Sequence, residues 1–133
     1  MRRPLCDPDG RVVAVLIETG VRFAHKDASC FEFSPDGARL VTAGPDGTAR
    51  LWDSRTGELL RTLRGPDAAI FRARHSPDGA RLVTAQSDDC VRVWDTRSGD
   101  LLHVIRCGIV HQVAYAPDGD HLAGGLGDGT VRL

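Results

Sequence analysis

His75-Ser76, two residues ahead of Asp78, assembles the side-chain types of a nucleophilic triad: a hydroxyl to attack, an imidazole to take its proton and a carboxylate to orient the ring. The same turn is written elsewhere as Phe33-Ser34-Pro35-Asp36, with no histidine, so the group reads as turn hardware. Asp7-Pro8-Asp9-Gly10 begins like a calcium loop, but the bidentate acid that should close such a loop is missing and Glu18 would stand alone, which leaves a hairpin turn. Gly124-Gly125-Leu126-Gly127-Asp128-Gly129 has the composition of a phosphate cradle without the Lys-Ser/Thr or the helix that would make it one. The five histidines share no metal-like spacing. Cys6, Cys30, Cys90 and Cys107 form no Cys-x-x-Cys pair, and each lies in or beside an apolar run, so they read as small buried thiols rather than ligands or disulfides. These residues yield no catalytic group, no metal site and no cofactor site.

The bulk chemistry is that of a folded domain without a strong charge imbalance. Of 133 residues, 41% are apolar and 26% charged, a globular composition. Seventeen basic and eighteen acidic residues are scattered along the length for a net charge of -1, which gives no footprint for nucleic acid or anionic lipid. Met1-Arg2-Arg3-Pro4 is basic, but Arg11, Glu18 and Arg22 interrupt the apolar run that follows, so no membrane span is expected. The expected setting is the cytoplasm.

The elements that must position these residues are repeated. Ser34-Pro35-Asp36-Gly37 returns as Ser76-Pro77-Asp78-Gly79 and again as Ala116-Pro117-Asp118-Gly119, at offsets of 42 and 40 residues. Leu51-Trp52-Asp53 returns as Val93-Trp94-Asp95, also 42 on. Two independent markers moving by one period identify a repeat array. Within it, the Leu- and Val-rich run Ala38 to Ala43 and the short runs Thr48 to Asp53, Leu59 to Leu63 and Ala69 to His75 are set off by Pro-Asp-Gly and Thr-Gly turns, so each period predicts four strands in one antiparallel sheet. The second copy gives strands over Ala80 to Ala85, Cys90 to Asp95, Leu101 to Arg106 and Ile109 to Tyr115. The third gives His121 to Gly125 and then stops at Leu133. Near the N-terminus, Arg11 to Ile17 takes the place of the Trp-bearing strand and Val21 to Ala24 that of the next, with Ser29 to Phe33 leading in. The one domain, 1–133, therefore divides into a partial unit with lead-in at 7–33, repeats at 34–75 and 76–115, and a truncated repeat at 116–133.

Phe-Ser-Pro-Asp-Gly, Leu-Val-Thr-Ala-Gly, Asp-Gly-Thr-Ala-Arg-Leu-Trp-Asp and Thr-Gly-Glu-Leu-Leu, in this order on a period near 41, resemble the WD-repeat family of β-propellers. The resemblance covers about residues 7 to 133. It implies an all-β fold, a partial propeller of four-stranded antiparallel blades with about three blade-equivalents. It also implies a structural hydrogen-bond chain in each blade, running from a loop His through a strand Ser or Thr and a turn Asp to the Trp. His25, Thr42, Asp46 and Trp52 match the four places in the first full unit. In the next, Thr84, Asp88 and Trp94 match but Pro66 occupies the His place, and in the last only Asp128 matches. Looseness is expected where a buried donor lacks its partner. Glycine is lost at Asp89, where the first unit has Gly47, so that turn needs another geometry or an Asp in the left-handed region. Trp52 and Trp94 read as core anchors between blades. Arg39, Arg50, Arg81, Arg92 and Arg132 read as the solvated face of each sheet.

Propellers close with four to eight blades, and roughly three repeats cannot close one. The expectation is a piece of a longer propeller, or else self-association of two arcs into one ring, or an open arc stable alone. The function implied by the resemblance is a non-catalytic scaffold for other proteins. A regulatory or sensor segment of a larger signalling protein is the alternative. A propeller hydrolase would gather acidic and His residues at the central channel, and the strands expected innermost offer Glu32 and His111 but no recurring carboxylate pair.

Overall fold

The computed structural model describes Ala28 and residues 30–126, together with the strand backbone at Leu5–Cys6, Val12–Leu16, Arg22–Ala24 and Val131–Arg132. Every described element is a strand: β1 (Leu5–Cys6), β2 (Val12–Leu16), β3 (Arg22–Ala24), β4 (Cys30–Phe33), β5 (Arg39–Ala43), β6 (Thr48–Asp53), β7 (Leu59–Arg64), β8 (Ile70–His75), β9 (Arg81–Gln86), β10 (Cys90–Asp95), β11 (Leu101–Arg106), β12 (Val110–Tyr115), β13 (Leu122–Leu126) and β14 (Val131–Arg132). They form four antiparallel sheets in sequential order, β1-β2-β3, β4-β5-β6-β7, β8-β9-β10-β11 and β12-β13-β14. The fold is all-β and consists of propeller-type blades that this chain does not close into a ring.

Turn chemistry sets the boundaries. Asp36 Oδ1 accepts hydrogen bonds from the Ser34 hydroxyl (2.6 Å) and the Ala38 N–H (2.9 Å), while Ser34 Oγ accepts from the Arg39 N–H (3.0 Å). Ser76, Asp78, Ala80 and Arg81 repeat the arrangement with the same three distances. This closed loop of side chain to backbone bonds ends one strand and starts the next without help from neighbours. At the far end of the hairpin, Asp53 accepts from the Arg55 and Thr56 N–H groups, and Asp95 accepts from those of Arg97 and Ser98. The Asp that follows each Trp is thus a turn-former.

The middle strands show how the sheets combine. In β9 and β10, five consecutive residues each are buried, and in β5 the four from Leu40 to Ala43 are. Successive side chains of a strand point to opposite faces, so such runs require cover on both sides. One cluster, including Val41, Leu51, Leu63, Ile70, Leu82 and Trp94, joins the second sheet to the third. Another, including Val83, Val91, Val93, Val110 and Val113, joins the third to the fourth. The second, third and fourth sheets are stacked face to face.

Two expectations change. Ile70–His75, the last strand of the 34–75 repeat, pairs with β9 and so opens the following sheet instead of closing its own. Each sheet therefore takes its innermost strand from the repeat before it, and the sequence unit and the structural unit are staggered by one strand. Near the N-terminus there is also a strand that the pattern did not indicate, β1, which pairs with β2.

Candidate interaction surface

Each Trp-bearing strand has a register shift just before its indole, between Leu51 and Trp52 and between Val93 and Trp94, on the side facing the outer strand. Such a bulge re-aims the side chain that follows it. Trp52 Nε1 donates to Thr42 Oγ1 at 3.0 Å and Trp94 Nε1 to Thr84 Oγ1 at 3.1 Å, with both threonines fully buried. Asp46 Oδ1 accepts from the Thr48 N–H and hydroxyl, at 3.0 and 2.8 Å. His25 and Asp128 lie outside the described residues.

In the third sheet the chain ends differently from the expectation. Pro66 offers no side-chain partner, but the Thr84 hydroxyl donates to Gln86 Oε1 at 3.1 Å, and Gln86 Nε2 donates to the Ala68 carbonyl at 3.2 Å. Gln86 is 1% exposed. The anticipated looseness is therefore absent there: a buried glutamine supplies both an acceptor and a donor. Its counterpart one repeat earlier is Gly44, so comparing the two copies could have flagged it. Asp88 faces another group altogether, since Arg92 donates to it from Nη1 (3.1 Å) and Nη2 (2.6 Å). That fork holds the Asp88 carboxyl below the usual carboxylate range. Arg92 is only 6% exposed, so the reading of the repeated arginines as a solvated face fails at this position: the guanidinium turns inward to a carboxylate.

Asp89 has φ +65°, the left-handed conformation that its sister Gly47 adopts at +77°. A Cβ at Gly47 would lie 3.1 Å from both the Pro66 and the Ala68 carbonyl oxygens, so there the glycine is needed for space as well as for φ.

The innermost strands β4, β8 and β12 carry a different chemistry. Glu32 on β4 crosses to β8, where its Oε1 accepts from the His75 N–H (2.7 Å) and lies 3.1 Å from His75 Nδ1, and its Oε2 accepts from Arg74 Nη1 (3.1 Å). Burial pushes the Glu32 carboxyl up, but the His75 and Arg74 hydrogen bonds outweigh it and the net shift is downward. Cys30 Sγ accepts from the Ala73 N–H at 3.3 Å, and burial raises its thiol. Arg72 Nε donates to Gln112 Oε1 on β12 at 3.2 Å. His75 is thus engaged with Glu32, while the Ser76 hydroxyl is given to Asp78. His111 lies against Phe71, with ring centroids 6.3 Å apart. Among the described residues, no group of three His, Cys, Asp or Glu is placed to hold a metal. Cys30, Cys90 and Cys107 are free thiols.

Along this edge Phe31, Phe33 and Phe71 are exposed beside Arg72 and Arg74. Exposed aromatic rings near arginines are the composition of protein-binding patches, since both give large contact areas and directional contacts.

The family profile described as "WD domain, G-beta repeat" (WD40) matches residues 18–53, 57–95 and 99–133. The chain is 50% identical over 40 residues to WD repeat-containing protein 1 of Xenopus tropicalis, covering 30% of this chain and 7% of that protein. It is 55% identical over 38 residues to Protein groucho of Drosophila melanogaster, 28% of this chain and 5% of that protein. Over 124 residues, 93% of this chain, it is 36% identical to Protein hir1 of Aspergillus terreus, of which it covers 9%. The chain thus spans 5 to 9% of the length of these relatives.

Proposed function

Because this chain belongs to the WD40 repeat family, we infer that it is a non-catalytic scaffold for protein–protein interaction and contributes its blades to a larger propeller. WD repeats generally serve as interaction platforms. The observation that carries the reading to particular residues is the innermost edge, where Phe31, Phe33 and Phe71 stand exposed next to Arg72 and Arg74. Leaving such rings in water costs the folded chain apolar burial, and contact with a partner recovers it. The net charge of -1 favours a protein partner over nucleic acid or an anionic membrane. Free thiols at Cys30, Cys90 and Cys107 support a reducing, cytoplasmic setting. The blades needed beyond these repeats come from further copies of the unit, since rings close at about four to eight.

The test is quantitative affinity capture with the tagged chain and with its Phe71→Ser and Arg72→Ser variants, each checked for an unchanged thermal melt. Specific partners lost from both variants but kept by a rim variant such as Glu58→Gln support the scaffold reading. Identical partner sets in all variants count against this edge. Turnover of a hydrolase substrate panel that vanishes in Glu32→Gln would replace the scaffold with an enzyme.

A further inference from the structure

The repeat position that Arg72 occupies is basic in no other copy. Its counterparts are Cys30 and Gln112, and the three pair with Ala43, Ala85 and Gly125, which are themselves one repeat apart. Arg72 is therefore particular to the third sheet and not hardware that the repeat supplies. Its guanidinium is held at two points, Nε donating to Gln112 Oε1 on β12 (3.2 Å) and Nη1 to the Phe71 carbonyl (3.4 Å). A guanidinium has five N–H donors, so three remain, one on Nη1 and both on Nη2, with no acceptor among the described residues.

No carboxylate answers this cation. Glu32 is the one acidic residue on β4, β8 and β12, and it is spent on Arg74 Nη1 (3.1 Å) and on His75. Arg72 stands in an open cleft of about 390 Å³ bordered by three successive sheets: Pro45 from the second, Ile70 and Phe71 from the third, His111 and Gln112 from the fourth. None of the residues lining it is acidic. The Phe71 and His111 rings, with centroids 6.3 Å apart, make an aromatic wall beside the charge.

We propose that this cleft receives the carboxylate of a Glu or Asp side chain on an extended segment of a partner protein, with an adjoining apolar side chain of that segment laid on Phe71. The inference deepens the reading of the innermost edge as an interaction surface and rests on it for the claim that a protein docks there. Charge selects the carboxylate. It takes two parallel N–H bonds from an arginine fork and brings the single negative charge that one unmatched cation neutralises. A phosphate monoester carries about -1.5 to -2 and would call on a second cation, but Arg74 is already paired with Glu32. Gln112 and the Phe71 carbonyl hold the fork in advance, so little ordering is left to the moment of binding.

The probe is a set of blocked heptapeptide pools, randomised except for a central residue fixed as Glu, Gln or phosphoserine, offered to the immobilised chain and read by mass spectrometry of what is retained. Retention of the Glu pool is expected to exceed that of the Gln pool about tenfold, with aliphatic or aromatic residues favoured beside the Glu. Arg72→Gln removes two solvent-exposed hydrogen bonds, so the thermal melt should not move, and it is expected to erase the difference between the pools. Arg61→Gln, on the outer strand β7, is expected to leave it whole. Phe71→Ala is expected to remove the neighbour preference and keep the acidic one. Equal retention of the Glu and Gln pools would overturn the proposal, as would a Glu preference that survives Arg72→Gln, a neighbour preference that survives Phe71→Ala, or phosphoserine retained above Glu. Equal retention beside partners captured through Phe71 would leave the edge reading standing. Arg72-dependent retention of Glu beside partners indifferent to the edge would remove that reading and leave the cleft.

Discussion

Shortening Gln86 to alanine would strand the Thr84 hydroxyl and the Ala68 carbonyl in a space where Thr84, Gln86 and Trp94 are all buried. A buried polar group left unpaired costs about 1–3 kcal/mol, so Gln86→Ala is expected to lower unfolding stability by that amount in urea denaturation. Gln86→Leu, which keeps most of the volume, is expected to lose nearly as much. If Gln86→Leu matched the wild type, the hydrogen bonds would be incidental and only packing would count. Asp89 presents the opposite case. At φ +65° it holds a conformation that glycine adopts without strain, and Asp89→Gly is expected to stabilise the chain by about 0.5–1 kcal/mol in the same assay. Thr42, Trp52, Thr84 and Trp94 stood out in the sequence because they recur at the repeat period, but that each Trp bonds its Thr was only what the family resemblance implied. The roles of Gln86 and Arg92 were not legible, because nothing in one dimension says whether a long polar side chain at a strand turns outward to water or inward to a partner on the next loop.

Apart from β1, the strands were legible nearly to the residue, since turn residues bracket short runs at regular intervals. The stagger between repeat and sheet was not, because the repeating unit fixes where strands begin and says nothing about which neighbour they pair with. That stagger has an energetic consequence: each innermost strand is covalently continuous with one blade and hydrogen-bonded into the next. Glu32 reinforces the seam between β4 and β8 through His75 and Arg74. Its carboxyl is held below its ordinary value in the folded chain. A depressed carboxylate contributes stability that is present above the unfolded value and lost as pH falls through the folded one. Wild type and Glu32→Gln are therefore expected to differ most near neutral pH. Their urea midpoints should converge on acidification through and below the ordinary carboxylate range. A difference that stayed constant across that window would show that the ionised form of Glu32 contributes nothing to the seam.

At the scale of the molecule, the core of the described residues lies between the second, third and fourth sheets, so their stability comes from the stack. The residues around Leu82 come from both sides of one interface: Cys30, Val41, Ala43, Ala49, Leu51 and Leu63 from the second sheet, and Ile70, Ala73 and Trp94 from the third. Repeat counting made the repeated four-stranded sheets legible. If stacking is what couples the sheets, damage on one side of an interface must be felt on the other. Leu82 is fully buried, and Leu82→Ala is expected to cost about 2–5 kcal/mol through lost burial and the cavity left behind. Hydrogen exchange followed by mass spectrometry should then show faster exchange in β9 and β10, the strands of its own sheet, and also in β5 and β6 across the interface. Strands β12 and β13, packed on the other face of the third sheet through Val83, Val110 and Val113, should lose protection to the extent that the third sheet opens as a unit. Faster exchange confined to β8–β11 would mean that each blade is an independent folding unit, and the account of the fold as a cooperative stack would fail.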